Sequence, residues 1–572
     1  MHRVRSGSVV ALLSLVACGG AAASSSAKLA PKEPFTSREA MQQIAVAKPK
    51  PVPHRDVSVV KEWTVDPRDV ASAVEPKLAD LAGRDPGYVL TPELRCIARE
   101  LARFVAEHKT SPDERLRRFI SVACGSQGEG VEYRTWGTDA ATSVTDDQIF
   151  ASMRGKIDLP ANAKGKPAGA WLARANGRVS LVLALGGRAQ PDLVIEQADA
   201  DGRVAVHGEV HGPVEQIFGL INQTDRGVSR CDADPNVALP KYALVCTMAP
   251  EDKVAWVEVE SKAPGRVLLH SAGVGLARRD VNEPLVYTAA RDPQPVAAAA
   301  DVRKAVLEGV NAARKTAGYA PLALAPKQTA MNERVAVHYF SAELNGDQDT
   351  SDKVALGLLA GWDVGGTIRN GDFFSALATG STDAAMWLDY ALESPAGRFA
   401  LLDPTARQIA VGAASPEDLG GVGAVVTTYA FFENANPAAE AKEVLGRLAR
   451  TRTALGAGPT TPIAGLDGLA AQARLVGEGR AEPMDALERA MRHDSTRAGR
   501  SLRGWVIATH DLESITFPAE LLAKGNTLVG VEVAHWKPEG SAWGAYAIFV
   551  VTPGATMQNV AMIDQRRAAP LF

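Results

Sequence analysis

Ser394-Pro-Ala-Gly-Arg-Phe-Ala-Leu-Leu-Asp-Pro404 is the stretch from which the rest of this 572-residue chain is read. Its fourth residue, Gly397, has no side chain with which to ligate a metal or move a proton. Upstream, Trp387 and Tyr390 sit on a helix that leads into it. Further upstream, Val302, Ala305, Val306, Val310 and Ala313 recur at helical spacing and predict an amphipathic helix over 301–317, with a second through Met331, Val335 and Phe340. Downstream, 408–414 and 423–432 read as strands.

The stretch resembles the S-P-x-H-R-x-x-L-L-D-P signature of the CAP superfamily (cysteine-rich secretory proteins, antigen 5 and pathogenesis-related 1, also called the SCP domain). Asn311-Ala-Ala-Arg314-Lys-Thr-Ala-Gly318-Tyr-Ala-Pro321-Leu322 resembles that family's opening N-x-x-R-x-x-x-G-x-x-P-L. Gln408-Ile-Ala-Val-Gly412 and Gly423 to Phe432 resemble its closing strands. The matches follow the family's order over about a quarter of the chain. The resemblance implies an α-β-α domain at 300–435 and, from what family members do, binding of lipids, sterols or proteins.

In the family two histidines and two acidic residues form a metal cleft. Here Gly397 stands where the signature histidine would be, no Glu-Asn pair occurs near 361–369, and a match of Tyr339-Phe-Ser-Ala342 to Y-F-S-H leaves Ala342 in the other histidine's place. The candidate cleft is therefore His338, Asp363, Glu393 and Gly397, with no catalytic residue, metal ligand or cofactor expected.

Residues 440–572 read as a possible degenerate copy of the same unit. Gly456 and Pro459 parallel Gly318 and Pro321, and 528–534 and 544–550 parallel the two closing strands. Short strands separated by turn residues predict a β-sandwich-like domain at 166–290, and helical periodicity predicts a helical region at 61–165. The expected fold class is thus multidomain α+β.

At the N-terminus, Arg3 and Arg5 precede the apolar run Val9–Val16, and Leu15-Val-Ala-Cys18 resembles a bacterial lipobox. Residues 1–17 are read as a lipoprotein signal peptide and Cys18 as the lipid attachment site. Residues 18–60, rich in Ala, Ser, Lys and Pro, are read as a flexible tether. Two or more acyl chains hold a soluble domain stably at a membrane. The expected location is the bacterial cell envelope, lipid-anchored, and Gly19 after the cysteine points to the outer membrane. Four cysteines remain, and an even number in an exported chain suggests disulfides. Three pairings are possible; the local ones, Cys96–Cys124 and Cys231–Cys246, are favoured, each stabilising by about 3 kcal/mol.

With 62 basic and 66 acidic residues, the chain lacks the basic footprint of a nucleic-acid binder. His207 and His211, spaced for one face of a strand, have no third zinc ligand in view. Asn345–Asp352 offers oxygens but not the glycine and terminal glutamate of a calcium loop; it is read as an acidic loop before a helix capped by Ser351 or Asp352. Walker, dinucleotide and G-x-S-x-G motifs do not occur. The expectation is a non-catalytic envelope lipoprotein that binds or scaffolds an envelope ligand or protein. The alternatives are a cell-wall-directed hydrolase, signalled by His338, Asp363 and Glu393 converging, and a purely structural protein, signalled by a filled cleft.

Overall fold

The computed structural model describes residues 35–44, 57–83, 85, 87–126, 131–139, 144–154, 164–186, 192–224, 227–264, 266, 268–281, 283–432, 436–513, 515–554 and 560–565. Within them, fourteen α-helices and several small sheets build a multidomain α+β chain. No helix among the described residues is long and apolar enough to cross a membrane.

The first elements are α1 (Arg38–Gln42), β1 (Val57–Ser58), β2 (Glu62–Val65), α2 (Leu78–Ala82) and β3 (Val89–Leu90). α3 (Pro92–His108) starts where its sequence dictates, with Pro92 in the first turn and the Thr91 hydroxyl accepting from the Leu94 N–H at 3.4 Å. After β4 (Ser111–Pro112), Asp113 caps α4 (Glu114–Ala123), and Cys96–Cys124 staples the helix pair with Cα atoms 5.6 Å apart. Then come β5 (Glu132–Asp139), α5 (Asp146–Met153), β6 (Pro167–Ala175) and β7 (Arg178–Leu185), in a sheet ordered β3-β6-β7-β5.

β6 and β7 fall in the range expected for the middle domain but belong to this first unit. Val182 and Ala184 of β7 pack on α3, while Leu181, Leu183 and Leu185 pack on Leu78, Leu81 and Phe150. A strand covered on both faces needs a near-continuous apolar run, which is what 179–185 provides. The spacer reading of 18–60 also needs correction, because residues 35–44 are folded. Met41 is 1% exposed against the second half of the molecule, Phe35 stacks 4.9 Å from Trp543, and Arg38 pairs with Asp363. Three apolar anchors, Phe35, Met41 and Ile44, suffice to dock this polar stretch, although its average composition hides them. Cys18 and the signal peptide lie outside the described residues.

The middle of the chain is all strand: β8 (Asp192–Ile195), β9 (Arg203–Glu209), β10 (Gln216–Gln223), β11 (Gly227–Arg230), β12 (Asp232–Ala233), β13 (Lys241–Thr247), β14 (Val254–Lys262), β15 (His270–Arg278) and β16 (Leu285–Thr288). Two antiparallel sheets, β12-β13-β9-β8 and β11-β10-β14-β15, share one core through Val206, Leu244, Ile221, Val257 and Val259. Cys231–Cys246 is the second bridge, with Cα atoms 4.3 Å apart. β16 leaves this pair of sheets and joins β2.

The next unit comprises α6 (Ala299–Thr316), β17 (Ala323–Leu324), α7 (Pro326–Asn345), α8 (Gln348–Ala360), β18 (Ile368–Thr379), α9 (Ala384–Glu393), α10 (Pro395–Leu401), β19 (Gln408–Ala414), α11 (Pro416–Leu419) and β20 (Gly421–Phe431). Its sheet runs β17-β19-β20-β18, leaving β18 at an edge. Val306, Trp387 and Leu401 cover one face of the sheet, and Val335, Phe340 and Leu358 the other. The cap of α8 is Asp347, which accepts from the Thr350 N–H at 3.2 Å, rather than Ser351 or Asp352. Asp349 and Asp352 instead pair with Arg266.

The last unit comprises α12 (Pro437–Ala454), β21 (Thr460–Pro462), α13 (Asp467–Gly477), α14 (Pro483–Ala498), β22 (Leu502–Thr509), β23 (Thr527–Trp536), β24 (Ala545–Pro553) and β25 (Val560–Asp564), with sheet order β21-β23-β24-β22-β25. β21 is parallel to β23 as β17 is to β19, and the remaining pairs of the common four strands are antiparallel in both units. A fully buried arginine ends the first helix of each. Arg314 donates to the carbonyls of Ala320, Leu401 and Asp403, and Arg452 to those of Gly458, Leu521 and Gly525. Trp543 docks the two units together, its indole N–H donating to the Leu359 carbonyl at 3.2 Å.

Candidate binding cavity

Ser394 closes α9 and caps α10, its hydroxyl accepting from the Gly397 N–H at 3.2 Å. The same hydroxyl donates to Glu258 Oε2 at 2.7 Å, and the Ala396 N–H donates to that oxygen at 2.9 Å. A carboxylate from β14 thus completes the start of a helix in another unit. Arg398 reaches the carbonyls of Thr224 and Gly227, tying the same stretch to the turn before β11. Gly397 is buried in this joint. A Cβ there would stand 2.1 Å from the Ala391 carbonyl oxygen and 3.0 Å from the Phe374 ring, so the backbone of α9 occupies the space of any side chain.

The four candidate cleft residues do not converge. Asp363 is held by Arg38, and its N–H donates to Gln328 at 3.1 Å. His338 is half-buried on α7. Glu393 lines a cavity of about 210 Å³ with Asp389, Arg291 and Arg398. Its Oε2 is buried and without a hydrogen-bond partner among the described residues. Burial pushes its carboxyl up to about 7, with Arg118 opposing and the charge of Asp389 adding to the rise. Asp389 is engaged by Arg115 at 2.7 Å and by Arg291. Arg115 also meets Asp113 at 2.9 Å and Asp383 at 3.6 Å, a buried ionic joint between the first unit and α9.

A larger cavity, of about 800 Å³, lies where three units meet. α4 contributes Arg117 and Arg118, β14 contributes Glu258 and Glu260, and α7 contributes Tyr339. β15 and β18 form walls with unbroken rows, His270–Val274 and Phe373–Thr379. Neither His338, Asp363 nor Gly397 lines it. Glu258 and Glu260 share a face of β14, opposite the Val257 and Val259 that fill the core between the sheets. Glu260 is 4% exposed, and burial, reinforced by the charge of Glu258, raises its carboxyl well above the usual range. It has no hydrogen-bond partner among the described residues. Tyr339, also raised by burial, shares a hydrogen bond of 2.8 Å with Ser375 on the opposite wall.

Sequence reading missed both glutamates. Alternation of Val and Glu is the ordinary pattern of a strand with one wet face, and nothing local says that α9 and α10 will cover that face. Among the described residues, no group of three or more His, Cys, Asp or Glu side chains is placed to hold a metal ion. His207 is a half-exposed strand residue 3.7 Å from Glu196. No family model matches the chain, and no curated protein matches it significantly.

Proposed function

We propose that this protein is a non-catalytic, lipid-anchored envelope protein whose CAP-like unit, followed by a degenerate copy, joins a β-sandwich-like domain to enclose a ligand in the 800 Å³ cavity. The observation that carries this reading is Glu260, a nearly buried carboxyl lining a cavity built from three units. A buried polar group is retained at a cost unless something pairs with it. The CAP-like assignment rests on the order of helices and strands, on the N-x-x-R-x-x-x-G segment whose Arg314 is buried, and on the 394–404 stretch that Arg314 holds. The sandwich-like assignment rests on two four-stranded sheets with a common core.

The test is thermal unfolding of the chain carrying Cys18→Ser, with lipid, peptide and glycan fractions of bacterial envelopes added separately. A ligand at one hundred times its Kd stabilises by about 2.7 kcal/mol, and Ser271→Trp, which obstructs the cavity rim, removes the shift. A chain that shifts with no fraction but turns over cell-wall material, and loses that turnover in Glu393→Gln, is a hydrolase instead. The anchor has its own test: Cys18→Ser moves the protein from the membrane to the soluble fraction.

A further inference from the structure

We infer that the cavity is a strand-addition site, taking an extended peptide that pairs with β18 and places a basic group against Glu260. The inference rests on the binding reading above and gives it a ligand class.

Successive side chains of a strand point to opposite faces. A wall formed by every residue from Phe373 to Thr379 is therefore the backbone edge of β18, not a face of the sheet. The hydrogen-bond parity agrees. The Gly380 N–H donates to the Gly420 carbonyl at 2.7 Å, just beyond the Thr379↔Gly421 pair, and the Arg407 N–H donates to Tyr429, the partner of Gly371. Both bonds make Gly371↔Tyr429 and Thr379↔Gly421 non-bonded pairs of the antiparallel ladder. Phe373, Ser375, Leu377 and Thr379 share that parity, so their N–H and C=O groups point away from β20, into the cavity. None of these groups has a hydrogen-bond partner among the described residues.

The other sheet-and-helix unit shows what such an edge accepts. Arg314 and Arg452 each bond a carbonyl six residues on, Ala320 and Gly458. Counting from these arginines through the paired strands sets Ala323 against Thr461, Gln408 against Leu528 and Gly371 against Leu502. Phe373–Leu377 then corresponds to Gly504–Ala508. In the last unit that segment is paired, in parallel, with Val560–Asp564 of β25. The chain supplies its own fifth strand to β22; at the matching place on β18 it leaves a cavity.

Across the cavity stands β15, the edge of its own sheet, with a bulge between Val259 and Glu260 in the ladder that joins it to β14. The extra residue is Ala272 of β15, which the pairing skips, so β15 bends beside Glu260 while β14 keeps its regular alternation. An unpaired edge recruits a strand through main-chain bonds, and side-chain pockets then set specificity. At about 3.3 Å per residue, a partner of about five to seven residues spans the free edge. A lysine, arginine or amino-terminal group on it meets Glu260.

The experiment is selection of a displayed random heptapeptide library on the full chain carrying Cys18→Ser, followed by fluorescence polarisation of enriched peptides. Enriched sequences are expected to carry Lys or Arg at one fixed position. Glu260→Gln should cut their advantage over the norleucine version at least tenfold. Ser375→Pro, which leaves the β20 ladder intact but blocks the edge, should weaken binding at least tenfold, while Ser375→Ala, which loses only the Tyr339 hydrogen bond, should not. Enriched peptides indifferent to Ser375→Pro overturn strand addition. A chain that selects no peptide but binds cis-parinaric acid in a Ser271→Trp-sensitive manner overturns the peptide inference and leaves the binding reading standing. A chain that does neither overturns both.

Discussion

The two sheet-and-helix units, 299–431 and 437–564, share strand order, strand direction and a buried arginine, and differ in what they do with the same edge. The first inserts α9 and α10 between β18 and β19, and these helices carry the joint to the middle domain and to α4. The last has no α-helix between β22 and β23 among the described residues; Leu512, Ile515, Phe517 and Leu521 fill the sheet face, and β25 closes the edge. One unit thus spends its insertion on contacts with neighbours and keeps an open edge, whereas the other closes upon itself. A shared core tolerates either because the buried sheet faces, not the edges, supply most of the apolar burial.

The comparison can be broken most directly at the arginines. Arg314→Leu and Arg452→Leu each strand several buried carbonyls, and each should cost about 3–5 kcal/mol in denaturant unfolding. A near-neutral result for one alone would mean that the two do not hold equivalent places. A second test is confined to the first unit. Burial holds the Glu393 carboxyl up at about 7 in the folded chain, against its ordinary value of 4.5. Its protonated form is favoured by folding, so its contribution is fully present below pH 4.5 and is lost as pH rises through 7, about 3 kcal/mol in all. Glu393→Gln should abolish that slope between pH 4.5 and 7; an unchanged slope would remove Glu393 as its source. Gly397→His should lower stability by about 1–3 kcal/mol through overpacking against α9, and calorimetry with zinc should show no gained site. Zinc binding by that variant would restore the cleft reading. The smallest effect concerns the closed edge. Met562→Pro in β25 should cost about 1 kcal/mol, and the freed β22 edge should promote slow self-association by light scattering.

Much of this was legible locally. Thr91-Pro92 and Asp113 announced α3 and α4, and the short loops between cysteines favoured the bridges that form. The order of helices and strands around 394–404 could be read from periodicity and motif spacing, and the parallel between the last two units from Gly318 and Gly456. The boundary at 166 could not, because β7 is covered from both sides by helices already passed. The docking of 35–44 could not, because three apolar residues vanish in a polar average. His338, Asp363 and Glu393 were grouped by a family pattern, yet each is held by a different neighbourhood. Gly397 looked like a missing histidine and is a point of backbone contact.

Caps, bridges, strand alternation and helix faces depend on residues a few turns apart, and the chain's own order of amino acids was enough to set them. Whether the outer face of β14 meets water or another unit depends on partners such as Glu258 and Ser394, which lie 136 residues apart. Burial, and with it the charge state of Glu260 and the open edge of β18, is a property of how separately patterned units come together. No local stretch encodes the low-dielectric space between them, and it is in that space that the candidate site was made.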